Sequence, residues 1–330
     1  LNLTPASPLF PTFPAALGAF PPGATLPARD IQEISPDLEN EHAWQASVGV
    51  QRQIGARTSI AVDANMNRGV KHGFLDMNAA AVIPKDVLNA ALAANPNAVI
   101  RTQAQADLTR PILPVPNGFR RMDLLTNEGR SWYQGVRISL IHRTTPLTFS
   151  ASYTRSKAED RLNHWFSPED SANPEADRGP TGADTPHNLV TSINWSIPGS
   201  GAFFNGWRLS TVTHSQSGAA YSIRYSGDPT SAGYNFGCGS RGCQAARPGA
   251  RNTERGMFIN YADITLARTF NVGQDRLEFR ADMFNAFNNQ NLIADGYINL
   301  VGNPRFGQHT GGSNNVFPGR QFQFALTYRF

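Results

Sequence analysis

Apolar and polar residues alternate strictly along the last ten positions of the chain. The polar or small positions run from Gln321 to Arg329, and the apolar positions between them are Phe322, Phe324, Leu326, Tyr328 and Phe330. A period of two places the two residue types on opposite faces of an extended strand. The C-terminal segment is therefore predicted to be a β-strand with one face in an apolar environment.

The same alternation recurs in about eight segments upstream, several of them near the roughly 9–11 residues that a tilted membrane-crossing strand needs. Their apolar rows begin at Trp44, Ile60, Trp132, Leu147, Leu189, Leu209, Ile264 and Leu277. The segment from Trp207 to Gln216 has the weakest pattern, because Val212 competes with Leu209 on the other face. With the C-terminal strand, the pattern predicts about nine strands.

The connections between these strands alternate between short and long. Short turns are expected near Gly55, Pro146, Gly199 and Gly273, and long connections at 68–130, 158–187, 217–260 and 288–318. Connections beyond about 12–15 residues are uncommon in compact soluble domains. Outer-membrane barrels combine short periplasmic turns with long extracellular loops. The predicted fold is therefore all-β, an antiparallel transmembrane β-barrel portion, and the expected location is the outer membrane of a Gram-negative bacterium.

The direction of the strands divides the chain into two expected parts. If the last strand runs inward, the ninth strand counted back, His42 to Arg52, starts on the outside. Residues 1–41, which are rich in proline, are then expected to be an extracellular loop segment, and residues 42–330 the C-terminal part of the barrel. Bacterial single-chain barrels have an even number of strands, and open edges are costly in lipid. We therefore expect an incomplete barrel.

Composition excludes several other classes of protein. Charged residues are 16% of the chain, against roughly 25% in ordinary soluble domains. The net charge is +4, but the basic residues are scattered, whereas a nucleic-acid-binding protein usually clusters them. No stretch approaches the roughly 18 consecutive apolar residues of a transmembrane helix. Outer-membrane lipid is an expected partner and nucleic acid is not.

No pattern indicates catalysis, a cofactor or a metal centre. The histidines lack metal-ligand spacing, and there is no nucleophile elbow or phosphate-binding loop. The loop acids Asp160, Glu169, Asp170, Asp177 and Asp184 are expected to be solvated, with cation binding as the alternative. Cys238 and Cys243 lie in a glycine-rich stretch and could form a disulfide, although a free pair or a metal site remains open.

The polar rows identify candidate residues for the inside of the barrel. The predicted lumen-facing residues are Asp63, Asn65, Arg137, Asn194, Glu278, Arg280 and Asp282. The mixed signs at Glu278, Arg280 and Asp282 suggest pairing along one strand, and a structural role competes with substrate contact for the whole set. Aromatic residues near strand ends suit interfacial girdles; they are Trp44, Trp132, Tyr133, Trp195, Trp207, Tyr261 and Phe330.

Several motifs resemble one family. Ser150 to Lys157 resembles a strand ending before a long loop in the TonB-dependent receptors of the Oar-like group, Phe279 to Asn288 their penultimate strand, and Gln321 to Phe330 their last. Gly206 to Ser210 and Gln216 to Gly218 also match in kind. The resemblance implies a barrel of about 22 strands, an N-terminal plug domain that is absent here, and contact with TonB through a missing N-terminal region.

The expected function is that of a TonB-dependent receptor that takes up a ligand bound by its extracellular loops, rather than that of an enzyme. The ligand is an unknown small molecule, carbohydrate or peptide, and the candidate loop contacts are Trp165, Phe166, Tyr221, Tyr225 and Tyr234. One alternative is a passive, porin-like channel. The other is a secreted soluble β-sandwich that serves as an adhesion or binding module.

Overall fold

The computed structural model describes residues 28–115, 119–161, 170, 172–201, 205–225, 229–231, 247–310 and 316–330. The strands are β1 (Arg29–Ile34), β2 (His42–Ile54), β3 (Thr58–Asp76), β4 (Phe119–Arg143), β5 (Leu147–Arg161), β6 (Gly179–Pro180), β7 (His187–Ser196), β8 (Trp207–Gln216), β9 (Ala220–Tyr221), β10 (Glu254–Arg255), β11 (Ile259–Val272), β12 (Asp275–Phe284) and β13 (Gln321–Arg329). The helices are α1 (Lys85–Ala94) and α2 (Gln103–Asp107), with 3-10 turns at Pro174–Asp177 and Ala294–Gly296. Within these ranges, neither helix is long and apolar enough to cross a membrane.

Nine long strands follow one another across a single sheet. Their order is β2, β3, β4, β5, β7, β8, β11, β12 and β13, and all neighbours are antiparallel. Two further strands join this sheet, β1 in parallel with β4 and β6 beside β5, while β9 and β10 form a separate ribbon. No pairing among the described residues joins β2 to β13, so the sheet is open. The predicted nine-strand antiparallel architecture is confirmed.

The strand register places the predicted apolar rows on one common side of the sheet, which we call the apolar face. Val62 lies opposite Ile138, Ile138 opposite Tyr153, and Tyr153 opposite Leu189. Residues directly opposite each other in a ladder point to the same face. Even the weakest predicted strand obeys this order, because Leu209 lies opposite Trp195 on the apolar face. The other side of the sheet, which carries the alternate residues, is the polar face.

The apolar face remains largely exposed. Val48 and Val50 on β2 and Leu326 on β13 each expose about 70% of their surface. Soluble monomers rarely expose contiguous apolar patches larger than a few hundred Å², whereas this face extends over nine strands. An apolar surface of that extent requires an apolar surrounding such as hydrocarbon.

We expect an arginine on the apolar face to destabilise the protein in a membrane far more than an arginine on the polar face. Ile138→Arg would place a charge in the middle of the apolar face, where lipid-facing arginine costs about 2–4 kcal/mol. Ser139→Arg is the matched control, because the next residue of β4 lies on the polar face. Urea unfolding in lipid vesicles measures both free energies, and equal costs would contradict the assignment of the two faces.

The first long connection is shorter than the sequence indicates. Strand β3 continues to Asp76 and β4 already begins at Phe119, so the predicted loop at 68–130 is wrong at both ends. The ladder shifts register twice there, between Val70 and Phe74. These irregularities interrupt the alternation, which is the only signal of a strand available in the sequence.

Residues 1–41 contain a strand that the sequence pattern does not reveal. Strand β1 pairs in parallel with the start of β4, with Ile34 beside Leu125. Strand β5 ends at Arg161, opposite Arg130, and β1 pairs with the earlier part of β4, residues 119–125. Parallel pairing requires a long connection between the two strands, so no local turn motif marks it. The first part of the chain therefore contributes to the sheet at the long-loop end.

The four long connections emerge from the same end of the sheet and contact one another. We call their described residues, within 77–115, 170–186, 217–258 and 285–320, the loop cap. Both α-helices lie in the first of these connections. At the opposite end of the sheet, short turns form at Gly55 and Gly273, whose positive φ angles of 63° and 67° suit glycine. The predicted alternation of short and long connections is present.

Candidate functional site

An ion pair lies on the polar face at two of the predicted lumen-facing residues. Asp63 and Arg137 are opposite each other on β3 and β4, and their Oδ2 and Nη2 atoms are 3.0 Å apart. Gly49 completes the row, and a Cβ atom there would lie 2.4 Å from the Asp63 carboxylate. The glycine thus leaves room for the pair. A groove of about 410 Å³, lined by Gly49, Asp63, Arg137 and Ser139, adjoins it.

Hydroxyl and amide groups continue the polar face on the neighbouring strands. Ser150 and Ser192 are hydrogen-bonded across β5 and β7 at 2.7 Å, and Asn194 lies opposite Ser210 on β8. Asn65 lies opposite Gly135 of β4, just as Asp63 lies opposite Gly49 of β2. All these side chains share the side of the sheet on which the predicted lumen residues were placed.

The three predicted charges on β12 also lie on the polar face, but they pair in two ways. Arg280 donates to Asp282 along the strand at 2.9 Å, and Thr265 donates to the same carboxylate at 2.6 Å. Glu278 instead lies 3.5 Å from Arg208 of β8, two strands away. Pairing along one strand therefore holds for Arg280 and Asp282 and not for Glu278. Facing a lumen stays a prediction for all of these residues.

The C-terminal aromatic row lies on the apolar face. Phe322, Phe324, Leu326 and Tyr328 pair with apolar-face residues of β12 and remain exposed, and Phe330 follows the last strand residue and is fully exposed. The predicted girdle residues Trp44, Trp132, Trp195 and Trp207 are also on this face. Tyr133 and Tyr261 are not, because their register places them on the polar face, so their prediction as girdle residues is wrong.

The loop cap has its own small hydrophobic core. Leu88 and Leu92 of α1 pack with Tyr225 of the connection between β8 and β11, beside Ile83 and Val301. Tyr225 is 4% exposed, its burial raises the pKa of its phenol, and its hydroxyl donates to Asn89 at 2.8 Å. Contact of Tyr225 with an external ligand is therefore not favoured, because the side chain joins three connections to each other.

Three aspartate–arginine pairs join the second connection and the adjoining end of β5 to the third connection. Asp177 pairs with Arg247, Asp160 with Arg251, and Asp184 with Arg255. Asp177, Asp184, Arg247 and Arg251 are buried, and burial lowers the pKa of Arg251 to about 10. Arg251 also donates to the backbone carbonyl of Asp177 at 2.9 Å. The expectation that these loop acids are solvated is wrong.

The loop cap also contains an aromatic group that is separate from its hydrophobic core. The rings of Tyr221 and Tyr297 stack at 5.4 Å, nearly parallel, and His309 meets Tyr297 edge-on at 5.1 Å. Burial, together with the nearby Glu254 carboxylate and Tyr297, raises the pKa of Tyr221. Tyr221 is half-buried, and its contact with a ligand stays a prediction. Trp165, Phe166, Glu169, Tyr234, Cys238 and Cys243 lie outside the described residues.

The sequence contains a signal for the aspartate–arginine pairs that alternation does not use. Arg247, Arg251 and Arg255 recur every four residues in one connection, and another connection is rich in acids, with Glu169, Asp170, Glu175, Asp177 and Asp184. An arginine-rich segment and an acid-rich segment indicate mutual pairing as an alternative to solvation, because opposite charges that are buried need each other as partners. For Tyr297 and His309 we find no such signal, since nothing in their local pattern distinguishes them.

An open antiparallel sheet with one apolar face is the fold of part of a membrane β-barrel. A family model described as "Outer membrane beta barrel domain" matches residues 2–249 and 247–323. The chain therefore belongs to the outer membrane β-barrel domain family, and its location is the outer membrane. This membership also excludes the soluble β-sandwich alternative. No curated protein matches the chain.

The solved structures that are similar to the chain include two transporters. The outer membrane transporter YddB from Escherichia coli has a TM-score of 0.49 and 10% identity, over 92% of this chain and 34% of that one. The copper transporter OprC has a TM-score of 0.41 and 11% identity, over 89% of this chain and 33% of that one. This chain thus spans about a third of the length of both transporters.

Proposed function

We propose that the chain is part of an outer-membrane receptor that imports a ligand in a TonB-dependent manner, and that the loop cap makes the first contact with the ligand. The observation that carries the proposal is the cap itself. Residues of the first, third and fourth connections share one hydrophobic core, and buried ion pairs join the second connection to the third. Loops of that length are usually functional where they are ordered.

The proposed orientation places the loop cap outside the cell and the turns at Gly55 and Gly273 in the periplasm. The polar face then lines the lumen, with the Asp63–Arg137 and Arg280–Asp282 pairs among its charges. The proposed role is binding and transport rather than catalysis. The candidate ligands remain a small molecule, a carbohydrate or a peptide, with Tyr221 and Tyr297 as candidate contacts in the cap.

A passive channel is the remaining alternative, and it differs from a receptor in two measurable properties. A receptor driven by TonB must bind the C-terminal domain of TonB, whereas a porin does not need this partner. A porin leaves an aqueous channel open, whereas transporters of the larger class have a plugged lumen. The buried pairs of the loop cap favour a fixed cover over an open mouth.

The test uses the full-length protein purified from outer membranes in detergent. We expect it to bind the purified C-terminal domain of TonB in a calorimetric titration and to show no steady conductance in a planar lipid bilayer. Binding without conductance supports the receptor. A steady, ohmic conductance together with no heat of TonB binding would show that the protein is a passive channel.

A further inference from the structure

The apolar face carries a group of basic residues at its border with the loop cap. We call Arg68, Arg155, Lys157 and Arg178 the basic rim; all four are exposed. Arg68 lies in one row between Trp44 and Trp132, and Lys157 and Arg155 lie opposite Gln134 and Val136 in the next two rows. Positive charge thus begins directly where the continuous apolar rows end.

One carboxylate serves two cations of the basic rim. Lys157 and Arg178 lie 2.6 Å and 3.1 Å from the oxygens of Glu159, whose side chain is 18% exposed. Within the described part of the chain, Arg68 and Arg155 have no ion pair, although Arg155 donates to the carbonyl of Pro186 at 3.1 Å. Four cations beside one acid leave an excess of positive charge at this border.

The basic rim borders a cleft, and the ring of Trp132 forms one side of it. A cavity of about 250 Å³ is lined by Arg68, Trp132, Lys157, Glu159 and Arg178. The guanidinium of Arg178 lies 4.3 Å from the centre of the Trp132 ring, a cation–π contact that holds it in place. Glu159 holds Lys157 and Arg178 side by side. The cleft therefore presents fixed cationic groups beside an interfacial tryptophan.

The depth of the cleft in the membrane follows from strand geometry. Trp132 lies opposite Glu159 near one end of β5, and Trp195 lies opposite Leu147 at the other end. These two β5 residues are about 40 Å apart at about 3.4 Å per residue. A strand tilt of about 35–45° reduces this distance to about 30 Å across the membrane, close to the thickness of the hydrocarbon core. The basic rim therefore lies at the level of lipid headgroups.

We propose that this cleft binds the phosphate groups of an anionic lipid headgroup in the outer leaflet of the outer membrane. Arginine suits phosphate because its planar donors bind two oxygens at once. The cleft opens on the apolar face, so an occupant must place acyl chains against that face, which favours a lipid over a soluble anion. The proposal rests on the orientation proposed above, with the loop cap outside the cell.

The test measures binding of diphosphorylated lipid A to the full-length protein in non-ionic detergent, for example by native mass spectrometry. We expect binding at least tenfold tighter than that of dephosphorylated lipid A or phosphatidylglycerol. Each basic residue at a lipid surface contributes about fivefold in affinity. Arg68→Gln should therefore weaken binding about fivefold, and the Arg68→Gln, Lys157→Gln, Arg178→Gln triple variant roughly 100-fold.

The control is Arg52→Gln, which removes an exposed arginine from the same face at the short-turn end. It should leave the affinity for lipid A within twofold. The proposal is overturned if the Arg68 and triple variants bind like the wild type, or if Arg52→Gln loses as much. Tighter binding of phosphatidylglycerol would overturn it too, as would full competition by inorganic phosphate at about 10 mM, an ionic strength too low for screening alone to abolish binding. None of these readouts depends on TonB.

Discussion

Replacement of Asp177 by alanine is expected to destabilise the loop cap by about 3–5 kcal/mol. The reason is that Arg247, 1% exposed at its side chain, would keep its charge and lose its buried carboxylate partner. Removal of one partner of a buried ion pair costs that much because an uncompensated charge stays in the interior. Hydrogen exchange read by mass spectrometry on the protein in detergent should show faster exchange in the peptides around 172–186 and 247–258.

The matched control is Glu175→Ala in the same 3-10 turn. Glu175 pairs with Arg161, but its side chain is 54% exposed, and exposed pairs contribute about 0–1 kcal/mol. The heat-dependent gel mobility of both variants should equal that of the wild type, because the long strands do not depend on these contacts. Equal exchange in the Asp177 variant and the wild type would show that the pair does not hold the cap closed.

Leu92→Ala is expected to cost about 2–5 kcal/mol, as large-to-small changes in a core do. Leu92 is 1% exposed and packs with Leu88 and Tyr225. The lost contacts belong to two connections, so exchange should rise both in α1 and around Tyr225. The same hydrogen exchange experiment measures this change.

Val87→Ala is the control for Leu92→Ala, since Val87 is on the exposed side of α1 at 51% exposure. Substitutions at such surface positions usually change stability by less than about 0.5 kcal/mol.

Together with Asp177→Ala, the Leu92 variant also tests whether the four connections of the loop cap unfold cooperatively. If the loop cap is one unit, both variants should accelerate exchange in all four connections; acceleration confined to the mutated connection would show separate units.

The strands could be predicted because their environment repeats every two residues. On β8 the apolar row has only two strongly apolar residues, Trp207 and Leu209, and Leu209 still lies opposite Trp195 in the register of the sheet. Local alternation, connection lengths and the aromatic C-terminus together define the nine-strand order. The lumen-side candidates followed from the same rule, because each lies one position from an apolar residue.

The loop cap could not be predicted by that rule, because its contacts join residues without any shared period. Tyr225 and Leu92 belong to different connections, and neither segment shows which part of the chain it contacts.

The start of β4 could not be predicted for a different reason. The close approach of Gly129, where a Cβ atom would lie 2.0 Å from the His72 carbonyl oxygen, accompanies a break in register that hides the strand pattern.

The pairing of the loop arginines has a consequence for the order of folding. The partners in the three pairs are 70, 91 and 71 residues apart, whereas the β2–β3, β4–β5, β7–β8 and β11–β12 hairpins of the sheet close over short turns. Contacts between distant residues form late, because the chain must first give up the entropy of a large loop. We expect the strands to insert into the membrane while the long connections are still unfolded, so that the loop cap forms only after the sheet has assembled.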